Sequence, residues 1–243
     1  MSLYPIYSPA AGLTEYPSIS SEHSRWRADQ GITTATGVSV WADISAVGDG
    51  DNDLVQAATA NQPAYDATGG PAGDGMITFD GSNDQLKCPS GMATWNQPAH
   101  YFLLVKQISF VSTDVWVAEE NSQHNAIRNN GTTDQVAQTA NGSGHYSNHV
   151  VMTSGTFFLL DSFFSGASSH QRLNNGSVVE GTGVASGNPG SGSDNDFMVL
   201  GGENDTSNAA NIDVCEFVFF TAEVTGGDLT TLMAYFSDRY GLF

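Results

Sequence analysis

A cluster of aspartates near residue 50 is the first group in the sequence with the chemistry of a metal site. The stretch Asp49-Gly-Asp-Asn-Asp53 places three carboxylates at alternate positions, and Ca²⁺ takes carboxylate and carbonyl oxygens as ligands. An EF-hand loop that starts at Asp49 needs glycine at its sixth position and glutamate at its twelfth, where the sequence has Leu54 and Ala60. The sequence therefore predicts no cofactor, with a weak calcium site at Asp49, Asp51 and Asp53 as the alternative to a solvated turn.

Tryptophans are the second group with binding chemistry, because a flat indole face stacks on a sugar ring. Trp95 is flanked by Asn96 and Gln97 in a stretch that reads as a loop. Trp41 and Trp116 alternate with apolar neighbours and are predicted to lie in the core. Trp95 is therefore the glycan-binding candidate, and packing over one end of the fold is the alternative.

Other catalytic signatures are missing from the sequence. No G-x-S-x-G, H-E-x-x-H, C-x-x-C or P-loop pattern occurs. The two cysteines, Cys88 and Cys215, do not form a disulfide framework. We expect both to be buried free thiols that act as small apolar residues.

The charge balance limits the choice of partners. Seven Lys and Arg face 26 Asp and Glu, which gives a formal net charge of −19. Such a surface repels phosphate backbones and anionic lipids, so we expect neither nucleic acid nor a membrane as partner. The first residues lack a basic start followed by an apolar stretch, so we expect no signal peptide and no export by the secretory route.

The elements that would position these residues are strands. Turn-rich stretches of Gly, Ser and Asn recur every ten to twenty residues, a rhythm typical of one antiparallel β-sandwich. Asn174-Asn-Gly176 predicts a hairpin turn, and the apolar run Phe157–Phe164 predicts an interior strand. The predicted strands are Val38–Ala42, Met76–Phe79, Gln85–Cys88, Tyr101–Gln107, Asp114–Ala118, Gln135–Gln138, His149–Thr153, Phe157–Phe164, Gln171–Leu173, Ser177–Glu180, Phe197–Gly201 and Ile212–Phe220.

One helix is predicted near the C-terminal end. Thr225 and Asp228 have the spacing of a capping box, and Gly241 suits a left-handed helix end. The residues between them form a single apolar stripe at helical spacing, made of Leu229, Leu232, Met233, Phe236 and Tyr240.

These blocks together resemble a known superfamily. Val38-Ser-Val-Trp-Ala-Asp43, the Gln-Pro-Ala-Tyr block ending at Tyr65, Phe79-Asp-Gly-Ser-Asn-Asp84 and the terminal Tyr-Gly-Leu are similar to concanavalin A-like lectin/glucanase domains. Specifically, they resemble the laminin-G-like domains common in phage and bacterial surface proteins. The resemblance runs from about Trp26 to Phe243. It implies an all-β fold, an antiparallel jelly-roll β-sandwich with one C-terminal helix.

The resemblance also bears on catalysis. Glucanases of this superfamily carry a strand with the pattern Glu-x-Asp-x-x-Glu, whose nearest match here is Asn211-Ile-Asp-Val-Cys-Glu216. Asn211 stands where the nucleophile is expected, and an amide cannot attack an anomeric carbon. On this basis we expect the chain not to be an enzyme.

The remaining segment is an N-terminal arm. Residues 1–24 contain three prolines interleaved with tyrosines and lie outside the resemblance, while residues 25–243 form the predicted sandwich. Tyr4, Ile6 and Tyr7 are the candidates for burial against a partner.

The leading hypothesis is a virion structural protein, a capsid decoration or tail-fibre protein on the virion surface, in contact with other virion proteins and with copies of itself. A carbohydrate-binding adhesion module is the alternative, and a glycan-cleaving enzyme is a third hypothesis.

Overall fold

The computed structural model describes residues 15–46, 52–88, 97–119, 126–131, 134–139, 149–180, 198–203 and 208–243. Within these ranges the chain forms two antiparallel sheets, one α-helix and two short 3-10 helices, Thr59–Asn61 and Gly166–Ser168. The strands are β1 Glu22–Arg27, β2 Ile32–Thr34, β3 Val38–Trp41, β4 Leu54–Val55, β5 Ala64–Asp66, β6 Met76–Asp80, β7 Leu86–Lys87, β8 Ala99–Gln107, β9 Val115–Glu119, β10 Ala126–Asn129, β11 Gln135–Thr139, β12 His149–Val151, β13 Phe157–Phe164, β14 His170–Leu173, β15 Val179–Glu180, β16 Met198–Leu200 and β17 Asn211–Phe220.

The two sheets pack face to face. The first has the order β15-β14-β13-β8-β17-β6-β5, with β1 also paired to β17, and the second has the order β12-β11-β10-β9-β16-β7-β4-β3-β2. Between them lies a core that includes Trp26, Trp41 and Trp116, each fully buried. The predicted β-sandwich and the predicted core positions of Trp41 and Trp116 are thus confirmed.

The helix α1, Gly226–Tyr240, covers the outer face of the first sheet. Its buried side chains pack on Phe102, Leu104 and Val218, which point away from the core between the sheets. Ile19 and Tyr16, within the predicted arm, join this second cluster. The helix buries Leu232, Met233, Tyr235, Phe236 and Tyr240.

The two ends of α1 differ from each other. Gly241 is left-handed, with φ of 64°, and its N–H bonds to the Ser237 carbonyl at 2.8 Å, as predicted. The expected capping box is wrong, because the Thr225 side chain makes no capping hydrogen bond. Gly226, the first residue of α1, has φ of 57°, a left-handed conformation that turns the chain between Thr225 and the N–H groups it would cap.

A bulge in β17 determines which side chains lie beneath the helix. Its pairing with β8 shifts register between Val214 and Glu216, which leaves two consecutive side chains, Cys215 and Glu216, on the α1 side. Both cysteines of the chain are buried and free, as expected. No helix among the described residues is long and apolar enough to cross a membrane.

Candidate functional site

A buried polar cluster lies on the outer face of the first sheet, at the edge of α1. Asp161 stands in the middle of β13 and is directly opposite Arg172 on β14. His100 on β8 pairs with Phe163, two residues further along β13. Because residues two apart on a strand share a face, the pairing brings an imidazole, a carboxylate and a guanidinium together.

Both oxygens of Asp161 are occupied. His100 Nε2 lies 2.6 Å from Asp161 Oδ1, and Arg172 donates from Nε, at 3.0 Å, and from Nη2 to Oδ2. Asp161 and His100 are fully buried. Burial opposes ionisation of the carboxyl, but His100 and Arg172 outweigh it and hold the pKa of Asp161 below its ordinary value.

The second nitrogen of His100 fixes its protonation state. His100 Nδ1 accepts a hydrogen bond from the backbone N–H of Val224 at 3.0 Å. A nitrogen that accepts has no proton, so His100 is the neutral tautomer with its proton on Nε2, directed at Asp161. The imidazole thereby ties the loop before α1 to the sheet, and neither nitrogen is left for acid–base chemistry.

The same hydrogen bonds argue against a metal ion. His100, Asp161 and His170 each offer one ligand atom, and these atoms lie within 4.8 Å of one another. A histidine ligand usually donates its other N–H to an acceptor, whereas the other nitrogen of His100 itself accepts. Arg172 already places a cation on Asp161. These donors do not fit a metal site.

Arg172 extends from this cluster to the surface. It lines a cavity of about 450 Å³ whose wall combines Ser168, Ser169, His170, Glu223, Val178, Val224 and Leu229. It also lines a neighbouring cavity of about 540 Å³, bounded by Asn175, Thr230, Met233, Ala234, Ser237, Asp238, Phe243 and again Leu229. Since Arg172 and Leu229 are common to both, the two cavities form one surface, which we call the α1 groove.

The α1 groove contains donors, acceptors and apolar side chains. Arg172 supplies N–H groups and Glu223 supplies carboxylate oxygens, and Glu223 is exposed. Phe243 is 43% exposed at one end and Val178 is 41% exposed at the other. Polar groups at fixed positions on an apolar surface are what a small-molecule site requires.

The two carboxylates of β17 lie elsewhere. Asp213 accepts from Thr78 Oγ1 at 2.6 Å and pairs with Lys106 Nζ at 2.5 Å. Glu216 is fully buried and accepts from the hydroxyls of Tyr235 and Tyr240 at 2.7 to 3.1 Å. Burial raises the pKa of Glu216 to about 7. Glu216 therefore has no access to a glycan, and Asp213 is held by its strand neighbours.

The remaining candidates from the sequence are mostly untested. Asp49, Asp51, Trp95, Tyr4, Ile6 and Tyr7 lie outside the described residues. Asp53 accepts a hydrogen bond from the backbone N–H of Asp43 at 2.9 Å, so one of its oxygens serves the adjoining loop. The calcium site, the Trp95 site and the arm contacts stay predictions.

Sequence reasoning missed the groups that the fold assembles. His100, Asp161 and Arg172 are separated by 61 and 11 positions, and only strand pairing brings them together. One signal was present, since Asp161 is the single charged residue in the apolar run Phe157–Phe164. A buried carboxylate needs partners, so that position could have been singled out.

Three solved structures with a similar fold are carbohydrate-active proteins or a domain of one. Domain 4 of a GH43 extracellular arabinanase from Geobacillus stearothermophilus, in complex with arabinotriose, matches with a TM-score of 0.61 at 11% identity, over 88% of this chain and 98% of that domain. A Trypanosoma rangeli sialidase in complex with sialic acid matches with a TM-score of 0.61 at 12% identity, over 92% of this chain and 34% of the sialidase. An arabinofuranosidase complexed with arabinofuranosyl-alpha-1,2-xylobiose matches with a TM-score of 0.53 at 13% identity, over 84% of this chain and 51% of that one.

No protein-family model and no curated protein sequence matches the chain. The chain spans about a third of the sialidase and about half of the arabinofuranosidase. At these identities the similarity establishes the fold, a β-sandwich that occurs in carbohydrate-active proteins.

The same structures correct one expectation from the sequence. The chain was expected not to be an enzyme, because Asn211 replaces a nucleophile. The three structures compared above are glycoside hydrolases or a domain of one, which contradicts that expectation. The strand motif was too narrow a criterion, since one fold can place its reactive groups on different elements.

Proposed function

We propose that the chain is a glycan-binding domain and that its α1 groove holds the sugar. The observation that carries the proposal is the groove itself, in which the polar side chains of Arg172, Glu223 and Asn175 stand beside apolar ones such as Leu229 and Met233. Sugar hydroxyls both donate and accept hydrogen bonds, and the C–H faces of the ring are apolar. A surface of this mixed kind suits such a ligand.

The size of the groove agrees with an oligosaccharide. Its two parts, of about 450 and 540 Å³, lie within the usual range for small-molecule pockets, roughly 300–1,000 Å³. The match to an arabinanase domain solved with arabinotriose, almost end to end, supports a binding function for a sandwich of this extent.

Titration calorimetry with arabinotriose and a panel of other oligosaccharides tests the proposal. Glu223→Gln should weaken binding, because the amide offers one acceptor oxygen instead of two. Glu15→Gln is the matched control, since Glu15 is also exposed and does not line the groove. Equal affinities in the two variants would place the sugar elsewhere. Release of reducing ends during incubation would show that the chain cleaves what it binds, and would replace binding by hydrolysis.

The virion assignment stays a second proposal. It rests on the sequence resemblance to phage surface proteins and on the Pro- and Tyr-rich start of the chain. Attachment to other virion proteins through Tyr4, Ile6 and Tyr7 is tested by deleting residues 2–14. That deletion leaves Tyr16 and Ile19, which pack beneath α1, in place. If the truncated protein is still incorporated into particles as well as the full chain, the arm is not the attachment element.

A further inference from the structure

The charges around the α1 groove select among sugars. Among its described lining residues, Arg172 and His170 are the basic groups, while Glu223 and Asp238 are acidic. Asp161 adds a third carboxylate directly behind Arg172. Even with His170 protonated, the acids exceed the bases.

Arg172 is already neutralised from the buried side. Its Nε and Nη2 both donate to Asp161 Oδ2, so one edge of the guanidinium is used. Nη1 makes no hydrogen bond within the described part of the chain and remains for a ligand. A ligand carboxylate there would share the cation with Asp161, which weakens the charge-assisted pairing that favours an acid.

The orientation of Arg172 is fixed from the backbone outward. Val224 N–H holds His100, His100 holds Asp161, and Asp161 holds the guanidinium. Donors that are positioned before binding lose little freedom when the ligand arrives. A planar guanidinium with free N–H groups on one side matches two neighbouring hydroxyls of a sugar ring, with Glu223 as the acceptor in the same cavity.

We infer that the α1 groove binds an uncharged oligosaccharide through a pair of neighbouring hydroxyls and rejects sugars that carry a carboxylate. This inference rests on the proposed glycan-binding function. The formal net charge of −19 acts in the same direction, because it lowers the concentration of anions near the surface. The groove thus favours the neutral class to which arabinotriose belongs over sialic acid.

An array of neutral oligosaccharides and their carboxylated counterparts, with arabinotriose, lactose and sialyllactose among the probes, tests the inference. We expect the best neutral probe to bind at least about ten-fold more tightly than its acidic counterpart at low salt, the usual effect of one charge contact. The difference in affinity between neutral and acidic probes should become smaller in high salt, where exposed charges are screened. It should also become smaller in Glu223→Gln, which removes one of the acidic groups. Tighter binding of acidic probes overturns the selectivity and leaves the proposed function intact. Absence of binding by every probe overturns both.

Replacement of the guanidinium separates hydroxyl recognition from simple charge. Arg172→Lys keeps the cation beside Asp161 but loses the planar pair of donors, so binding of the neutral probe should fall about ten-fold or more. Arg128→Lys is the matched control, since Arg128 lies on β10 in the other sheet and donates to the Thr113 carbonyl. Unfolding curves show whether each variant is folded. Wild-type affinity in folded Arg172→Lys would disprove hydroxyl-pair recognition.

Discussion

Two carboxylates lie fully buried on the same face of the same sheet, beside the same helix, yet their pKa values shift in opposite directions. Asp161 meets an imidazole N–H and a guanidinium, which outweigh its burial and keep its pKa low. Glu216 meets two phenol hydroxyls, which do not offset burial, and its pKa is raised to about 7. Both carboxyls are fully buried, so the partners decide the direction in which each pKa shifts.

The difference extends to the surface. Arg172 pairs with Asp161 and also lines the open groove. The buried carboxylate therefore affects a ligand in the groove through the guanidinium that it holds. Tyr235 and Tyr240 belong to α1 and enclose Glu216. The α1 groove therefore runs along one side of the helix, and the side that carries Tyr235 and Tyr240 is closed over Glu216.

Removal of the charge at Asp161 should have the largest effect. Asp161→Asn leaves the Arg172 guanidinium without its anion, and breaking a buried pair costs about 3–5 kcal/mol in the free energy of unfolding. Urea unfolding at pH 7 measures the loss. Asp66→Asn is the control, because Asp66 is exposed and accepts from the Thr68 N–H. A loss below about 1 kcal/mol would mean that the pair contributes no more than an exposed ion pair.

Glu216→Gln should change stability in a pH-dependent way. The folded protein holds the Glu216 proton up to about pH 7, against an ordinary value of 4.5. Because the folded-state pKa is the higher one, wild-type stability from this group is complete below about pH 4.5 and is lost as the pH rises through 7. A shift of this size corresponds to about 3 kcal/mol.

The glutamine variant cannot ionise and should escape that loss. Its free energy of unfolding, relative to wild type, should therefore rise by about 3 kcal/mol between pH 4.5 and pH 8. Asp84 and Asp114, whose pKa values burial also raises to about 6, titrate in both proteins and cancel in the difference. Parallel pH profiles for the two proteins would rule out Glu216 as the titrating group.

The far end of α1 should show a smaller effect. Arg239 bonds to Asp29 at 2.7 Å and to Asp74 at 2.8 Å, which ties the helix to two loops. Because these partners are partly solvated, Arg239→Ala should cost about 1 kcal/mol in urea unfolding. The loss should shrink in 1 M salt. A loss of equal size in high salt would point to packing of the side chain instead.

The start of α1 should show the smallest effect. Thr225 makes no capping hydrogen bond, so Thr225→Ala should change the free energy of unfolding by about 0.5 kcal/mol or less, below the usual value near 1 kcal/mol for a lost cap. Val224, held by His100, fixes this end instead. A loss of 1 kcal/mol or more in the free energy of unfolding, measured by thermal unfolding, would show that Thr225 does cap the helix.

Long apolar segments were predictable from the sequence, whereas several short or polar strands were missed. The interior strand Phe157–Phe164 and the stripe on α1 were predicted because each buries a regular apolar face. The strand β1 was missed, since it buries Glu22 and Ser24 beside Trp26 and gives no apolar alternation. The strands β2, β4, β5 and β10 are only two to four residues long, too short for a period to emerge.

The candidate site was less predictable than the fold. Its polar residues act as a group only through the register of β8, β13 and β14, and register depends on the whole sheet. Residue types alone gave Asp213 and Glu216 the greater interest, although in the structure both carboxylates are taken up by hydrogen bonds or ion pairs within the fold. The position of Asp161 inside an apolar run was the one local signal.

The placement of β17 has a consequence for how the chain folds during synthesis. This strand, residues 211–220, lies in the interior of the first sheet, pairing with β8 on one side and with β6 and β1 on the other. Its partner β1 begins at Glu22, which pairs with Phe220. The loop of chain between these two paired residues includes almost the whole sequence. Pairings this distant in sequence form slowly. While earlier strands emerge from the ribosome, the edges of β8, β6 and β1 stay unpaired, and unpaired edges aggregate. We therefore expect nascent chains that end before residue 211 to require a chaperone, and completion of the sheet to follow the synthesis of β17.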